Sequence, residues 1–158
     1  MTLYSPRDTR SKRFMAATKM QPLGVFLASA NKAQYEALSL VFEQQQGVCI
    51  VGGAIDTHGV LENILDRQVD ILLLDWELPV QSELYPGNGK SAPELAVPDL
   101  ITTLRSVEGH LHIIVLTLKP ELEPEALAAG ADAVVAKTGS PEKMLASLID
   151  QISSQRET

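Results

Sequence analysis

The stretch ILLLDWELP, residues 71–79, decides the fold, because four consecutive apolar residues end in an aspartate. An apolar run without alternation is typical of a strand that is buried on both faces of a sheet. An unpaired carboxylate inside such a strand would cost several kcal/mol. Asp75 therefore marks the point where the strand leaves the core, and it is a candidate site residue.

Short apolar runs alternate with helix-like patterns along the rest of the chain. The runs predict strands over residues 23–28, 48–54, 70–75, 111–117 and 133–137. The patterns that separate and follow them predict helices over residues 33–45, 58–68, 98–107, 124–130 and 140–155. Buried strands separated by helices form a parallel sheet with right-handed crossovers. We therefore predict an α/β fold with a doubly wound, five-stranded parallel sheet and flanking helices.

Local signals accompany several of these elements. Ser140, followed by Pro141, has the pattern of a helix N-cap, and Gly130 has that of a glycine that ends a helix. Cys49 lies within an apolar run, which favours a buried thiol. An apolar stripe at helical spacing is expected to face the core from the last helix: Met144, Leu145, Leu148 and Ile152.

Composition and charge favour one domain with a basic arm. The chain has 158 residues, of which 4% are aromatic, so it is long enough for one core built mainly from aliphatic side chains. Residues 1–20 carry a net charge of +4, which leaves −11 for the rest of a chain whose net charge is −7. We divide the chain into an arm over residues 1–21, expected to be disordered, and a domain over residues 22–155.

The same properties exclude several partners and locations from the prediction. An acidic domain lacks the clustered Lys and Arg that phosphate contacts need, so we expect no DNA binding by it. The sequence has no apolar run of membrane-spanning length and no signal-peptide pattern, and we expect no membrane contact. A single cysteine cannot form an internal disulfide. We predict a cytoplasmic protein.

One long irregular segment follows the Asp75 strand. Residues 80–98 contain three prolines and two glycines. Segments of this length without regular structure are usually functional or disordered in compact domains. We treat this segment as an insertion in the domain.

Three polar residues end neighbouring predicted strands: Asp75, Thr117 and Lys137. Ligands of open parallel sheets gather at this edge. The three groups suit a phosphoryl group, because the carboxylate can accept it covalently while the hydroxyl and the ammonium bind its oxygens. They can equally be structural, with Asp75 capping a turn, Thr117 bonding to the backbone and Lys137 pairing with Asp75. The spacing alone does not separate these interpretations.

Several segments resemble the receiver domain of two-component response regulators: ILLLDWELP, IIVLT, VCIVGGA and AAGADAVVAKTGSPEKML. The resemblance covers about residues 23–152, and the D, T, GAD and K series occurs in the family's order. It implies a flavodoxin-like, receiver-type fold. It also implies that Asp75 is the phosphoacceptor position, Thr117 the switch hydroxyl and Lys137 the family's lysine.

By this resemblance the acidic pair that binds Mg²⁺ in the family is missing. Ser29 and Ala30 stand at its positions, and Asn31 is a neutral substitute at best. A hard dication needs anionic oxygen ligands, so with Asp75 as the only matching carboxylate we expect a weak Mg²⁺ site at most. No other cofactor is implied. Without the metal, the developing phosphoryl charge loses its main stabiliser.

Two further differences from the family concern the switch. Leu118 stands where a small residue usually gives phosphodonors access to the aspartate. Val134 stands where an aromatic side chain usually changes position together with the switch hydroxyl. Because a valine cannot swing in this way, we expect the usual conformational readout to be missing.

These differences favour a pseudo-receiver, a signalling domain without enzymatic activity that acts by protein contact and has impaired phosphorylation of Asp75. Its partner would be a histidine kinase or a downstream signalling protein, and a homodimer is a further arrangement. Two alternatives stay open: a phospho-accepting response regulator that uses Asp75, and a domain with a structural role in an assembly. An enzyme on this scaffold would need a further acid or base at the strand ends, and the sequence supplies none convincingly.

Two histidines are candidates for a metal site. His110 and His112 would place both imidazoles on one face of the fourth predicted strand. Since no third ligand is placed to complete a site, we expect both to be surface histidines.

Overall fold

The computed structural model describes residues 22–80, 95–137 and 141–157. Its strands are β1 (Leu23–Ala28), β2 (Val48–Ala54), β3 (Ile71–Asp75), β4 (His112–Thr117) and β5 (Ala133–Ala136). Its α-helices are α1 (Lys32–Glu43), α2 (Thr57–Ile64), α3 (Val97–Val107), α4 (Glu123–Ala129) and α5 (Pro141–Glu157), and a short 3-10 turn precedes α4. The predicted arm, residues 81–94 of the predicted insertion and the predicted cap Ser140 lie outside the described residues.

The strands form one parallel sheet in the order β2-β1-β3-β4-β5. The chain moves outward from β1 to β2 on one side and then to β3, β4 and β5 on the other, which is the doubly wound arrangement. The predicted fold class is therefore confirmed. Because all strands run the same way, β3, β4 and β5 end at one edge of the sheet.

Helices cover both faces of this sheet, and each face has its own core. One core includes side chains of α2, α3 and α4, and the other includes side chains of α1 and α5. In β3, Leu72 and Leu74 face the first core while Ile71 and Leu73 face the second, and all four are fully buried. Burial of one such side chain contributes about 1.5–3 kcal/mol, which explains why this strand has no polar alternation. No helix among the described residues combines the length and apolarity needed to cross a membrane.

Two predictions about β2 and α2 are wrong. Helix α2 ends at Ile64, not at residue 68, and the Arg67 guanidinium beyond it donates to the Val51 carbonyl at 3.1 Å. The Cys49 thiol is exposed rather than buried. A helix of 8 residues spans about 12 Å, whereas a strand of 7 residues spans about 23 Å. Helix α2 therefore does not cover the amino end of β2, where Cys49 lies.

Other local predictions are confirmed where the structure describes them. Gly130 ends α4 with a φ of 124°, a conformation that favours glycine. Leu148 and Ile152 are buried, and Met144 packs against the core beside them. The Leu145 side chain lies outside the described residues.

The prediction of two surface histidines is half right. His110 is exposed and precedes β4. His112 opens β4, only 18% of its side chain is exposed, and its Nδ1 atom lies 3.7 Å from the Asp132 carboxylate. The same carboxylate accepts a hydrogen bond from Arg105 at 2.7 Å, so His112 belongs to a packed polar cluster at the amino end of the strand.

The described flanks of the predicted insertion meet at the start of α2. The Thr57 hydroxyl lies 2.9 Å from the Val80 carbonyl oxygen and 2.7 Å from that of Leu95. The Thr57 backbone N–H donates to the Pro79 carbonyl at 2.9 Å. Helix α3 begins at Val97, so the last two residues of the predicted insertion belong to a helix. One threonine thus brings both flanks together at the same edge of the sheet as Asp75.

A glycine on β2 gives a test of this packing. A Cβ atom at Gly53 would overlap the Tyr35 phenol and lie 2.8 Å from the Leu27 carbonyl oxygen. We expect Gly53→Ala to lower the free energy of unfolding by about 1–3 kcal/mol, the usual cost of overpacking. At Gly109 the nearest atom to an added Cβ is 4.0 Å away, so Gly109→Ala is the matched control. Urea unfolding measures both, and equal midpoints for the two variants would contradict the packing described.

Candidate functional site

The three predicted site residues lie together at the carboxyl edge of the sheet. Asp75 ends β3, Thr117 ends β4 and Lys137 follows β5. The Lys137 ammonium lies 2.6 Å from Asp75 Oδ1, and the two side chains are only 10% and 6% exposed. Thr117 is 1% exposed. The ion pair between Asp75 and Lys137 that the structural interpretation required is therefore present.

A fourth residue, Glu77, completes this cluster. Its Oε1 atom lies 2.9 Å from the Lys137 ammonium, and its Oε2 atom accepts a hydrogen bond from the Thr117 hydroxyl at 3.0 Å. A turn after β3 brings it back, since Glu77 N–H donates to Asp75 Oδ1 at 3.3 Å and Leu78 N–H donates to the Asp75 carbonyl at 3.0 Å. The prediction that the strand ends hold no convincing further acid is therefore wrong, because Glu77 lies among them. The signal was an acid two residues beyond Asp75.

The second oxygen of Asp75 faces neutral donors. Gln34 Nε2 donates to Asp75 Oδ2 at 3.3 Å and to Ser29 Oγ at 3.0 Å. The Ser29 hydroxyl makes a longer contact of 3.5 Å with the same carboxylate oxygen. Gln34 is placed by the first turn of α1, where its backbone N–H donates to the Asn31 side chain at 3.0 Å. The sequence analysis also missed Gln34, whose only signal was its place three residues after a helix cap.

The Thr117 hydroxyl has a partner on either side. It donates to Glu77, and it accepts a hydrogen bond from the Lys119 backbone N–H at 3.0 Å. The Thr117 carbonyl in turn accepts from the Lys137 backbone N–H at 2.7 Å. These bonds hold the ends of β4 and β5 together, so the hydroxyl and the ammonium keep a fixed relation to each other.

The ionisable groups of the cluster set one another's pKa. Burial opposes the charged form of Lys137, but its hydrogen bonds to Asp75 and Glu77 outweigh burial and raise its pKa above the usual 10.5. Burial also opposes ionisation of Glu77, but its side-chain hydrogen bonds and the charge of Lys137 together outweigh burial and hold the Glu77 pKa below the usual 4.5. The cluster is thus an ammonium that two acidic side chains share.

The residues around Asp75 do not fit a Mg²⁺ ion. Ser29 offers one hydroxyl that already has protein partners, Ala30 has no ligand atom, and the Asn31 side-chain oxygen caps α1. The amide that faces Asp75 Oδ2 is the donor nitrogen of Gln34, which cannot bind a cation. In the part of the chain that the structure describes, no group of three or more His, Cys, Asp or Glu side chains could hold a metal.

The structure also describes Leu118 and Val134, the two other residues predicted to differ from the receiver family. Leu118 is 56% exposed directly after Thr117. Val134 pairs with Val115 of β4 and packs against the core that includes α3. The effects of Leu118 on phosphodonor access and of Val134 on the readout stay predictions.

Comparison with solved structures relates this architecture to known proteins. A response regulator of the LuxR family from Aurantimonas sp. SI85-9A1 superposes with a TM-score of 0.66 at 17% identity, over 85% of this chain and 87% of that one. A CheY-like receiver domain protein from Methanospirillum hungatei JF-1 gives 0.65 at 17% identity, over 87% and 98%. The chain has the receiver-domain fold.

A further solved receiver domain is also similar to this chain. The isolated receiver domain of RcsB from Salmonella enterica serovar Typhimurium, in the presence of the phosphomimetic BeF₃⁻, gives a TM-score of 0.63 at 21% identity, over 82% of this chain and 87% of that one. No protein-family model matches the sequence. No curated protein matches it either. Since all three identities are below 25%, these structures establish the receiver fold for this chain and leave the roles of its residues to the geometry.

Replacing Lys137 tests whether the ion cluster holds the strand ends together. We expect Lys137→Met to lower the free energy of unfolding by about 3 kcal/mol or more, because Asp75 is then buried without a counter-ion. Lys119→Met is the control, since that side chain is exposed and such changes usually stay within about 0.5 kcal/mol. Denaturant unfolding at neutral pH gives both values. A loss for Lys137→Met no larger than the control's would show that the pair contributes no net stability.

The lowered pKa of Glu77 predicts an acid limb in the stability profile. The folded protein holds the Glu77 proton less tightly than the unfolded chain does, so this contribution is present above about pH 4.5 and is lost as the pH falls through the lower, folded-state pKa. We expect the stability difference between the wild type and Glu77→Gln to shrink as the pH falls below 4.5. Urea midpoints over a pH series measure it, and parallel profiles for the two proteins would contradict it.

Proposed function

We propose that this chain is a pseudo-receiver, a signalling domain that acts by contact with a protein partner and has impaired Mg²⁺-dependent phosphorylation of Asp75. The receiver fold supports the signalling role. The observation that carries the proposal is the set of donors around Asp75, in which Lys137 and the Glu77 N–H face one oxygen while Gln34 and Ser29 face the other.

These contacts bear on chemistry at the carboxylate. Phosphoryl transfer to an aspartate needs a cation that neutralises the oxygens of the transferred group. On this side of Asp75 the chain places an amide and a hydroxyl, whose partial charges are much smaller than that of a dication. Gln34 and Ser29 would have to move before a metal could enter on this side. Among the described residues the other carboxylate of the cluster, Glu77, already faces Thr117 and Lys137.

The partner in this proposal is a signalling protein, either a histidine kinase or a downstream protein, and a second copy of this chain is a further arrangement. Such a role needs no catalytic turnover. The domain presents a surface to its partner, and the cluster at the strand ends sets the shape of that surface. A cytoplasmic location stays a prediction. The competing role as a phospho-accepting regulator is supported by the convergence of Asp75, Thr117 and Lys137, and the experiment below separates the two.

Incubation with acetyl phosphate and Mg²⁺, followed by intact-protein mass measurement, tests the proposal. We expect no mass gain of one phosphoryl group on the wild type under conditions that phosphorylate a receiver with an acidic pair, which serves as the positive control. A gain that Asp75→Asn abolishes would identify an ordinary phospho-accepting receiver and contradict the proposal.

The structural alternative has its own readout. If the domain only serves an assembly, Asp75→Asn changes stability and leaves every signalling output of the cell unchanged. If the pseudo-receiver interpretation holds, the same variant alters the arrangement at the strand ends and therefore weakens partner binding. Co-purification of wild type and variant from the native host, compared at equal amounts of folded protein, separates these outcomes.

A further inference from the structure

We propose that the Glu77 carboxylate is the built-in anionic ligand of Thr117 and Lys137, occupying the donors that an external oxyanion would otherwise use. The inference rests on the proposed function, because it assigns a ligand to a site whose use by a phosphoryl group is impaired. It deepens that function by stating what holds the site in one arrangement.

The geometry is that of a bound anion. The two oxygens of one carboxylate meet two different donors, Thr117 Oγ at 3.0 Å and Lys137 Nζ at 2.9 Å. Both distances lie within the range of good hydrogen bonds. A hydroxyl and an ammonium arranged around an oxyanion are the donors that suit a phosphoryl group, and here a side chain of the same chain supplies the oxyanion.

The position of this carboxylate matters as much as its contacts. Lys137 bridges Glu77 and Asp75, with 2.6 Å to Asp75 Oδ1. An oxyanion bound beside Asp75 would need the same ammonium and the same hydroxyl. It would also meet the negative charge of Glu77 at close range, where like charges repel most strongly. Glu77 therefore excludes an external oxyanion by charge as well as by occupancy.

The Glu77 carboxylate belongs to the same chain as its donors and is therefore always close to them. Glu77 is two residues from Asp75, and its backbone N–H donates to the Asp75 carboxylate at 3.3 Å. An intramolecular group acts at a high effective concentration and loses little freedom on binding. The acceptor side of Thr117 is also taken, by the Lys119 N–H at 3.0 Å. The hydroxyl thus stays turned toward Glu77 without an external signal.

Titration with inorganic phosphate in the absence of Mg²⁺ tests the proposal, with the backbone amides of Thr117 and Lys119 followed by NMR. We expect no saturable shift in the wild type. In Glu77→Ala the two donors are free of their internal ligand, so phosphate should give a saturable shift with a Kd at least about tenfold below the limit that the wild-type titration sets, the ratio for one charge-assisted hydrogen bond. Glu77→Gln, which is nearly isosteric, guards against a folding defect and should also gain phosphate binding. Adding Thr117→Val to Glu77→Ala should remove the gain.

Each outcome decides the question. Saturable binding in either Glu77 variant and not in the wild type supports the internal ligand. Equal phosphate binding by the wild type and the variants, or binding by neither variant while their spectra stay those of folded proteins, overturns it. The acetyl phosphate experiment is independent of this titration: transfer to wild-type Asp75 would defeat the proposed function, whereas a failed titration with no transfer would defeat only the role of Glu77.

Discussion

The carboxyl edge of the sheet depends on the ion pairs that the Lys137 ammonium makes. The ammonium reaches across from the end of β5 to Asp75 at the end of β3 and to Glu77 just beyond it, so it joins two strands that have β4 between them. A buried carboxylate without a partner costs several kcal/mol. The apolar run of β3 can therefore end in an aspartate only because the fold delivers an ammonium to the same place, and the order of the strands makes that delivery possible.

Neutral donors make hydrogen bonds to the carboxylate oxygens that the ammonium does not contact. Gln34 and Ser29 donate hydrogen bonds to the second oxygen of Asp75, and Thr117 donates one to the second oxygen of Glu77. The chain's own groups therefore meet the oxygens of both carboxylates. The edge that holds an aspartate, a hydroxyl and a lysine thus also holds protein donors for both carboxylates.

Much of this could be predicted from the sequence, and the failures have physical causes. The alternation of apolar runs with helical patterns predicted the succession of strands and helices along the chain. The predicted strand ends pointed to Asp75, Thr117 and Lys137, because a parallel sheet must bring its carboxyl ends together. The roles of Gln34 and Glu77 could not be predicted. They depend on where the side chains point, after a helix cap for Gln34 and in a turn for Glu77, and periodicity does not give these directions. The exposure of Cys49 could not be predicted because it depends on how far α2 extends along β2, and helix ends are the part of a helix that periodicity fixes least.

The most direct test of the central claim, that protein donors rather than a metal ion satisfy Asp75, is a titration with Mn²⁺ followed by NMR. A paramagnetic ion bound at the carboxylate broadens the nearest amide signals first, so the amides of Asp75, Trp76 and Glu77 report on occupancy. The account predicts no selective broadening of these three signals at Mn²⁺ concentrations that saturate a receiver with an acidic pair. Selective broadening that disappears in Asp75→Asn would contradict it, because a metal would then displace Gln34 and bind where the chain's own donors lie.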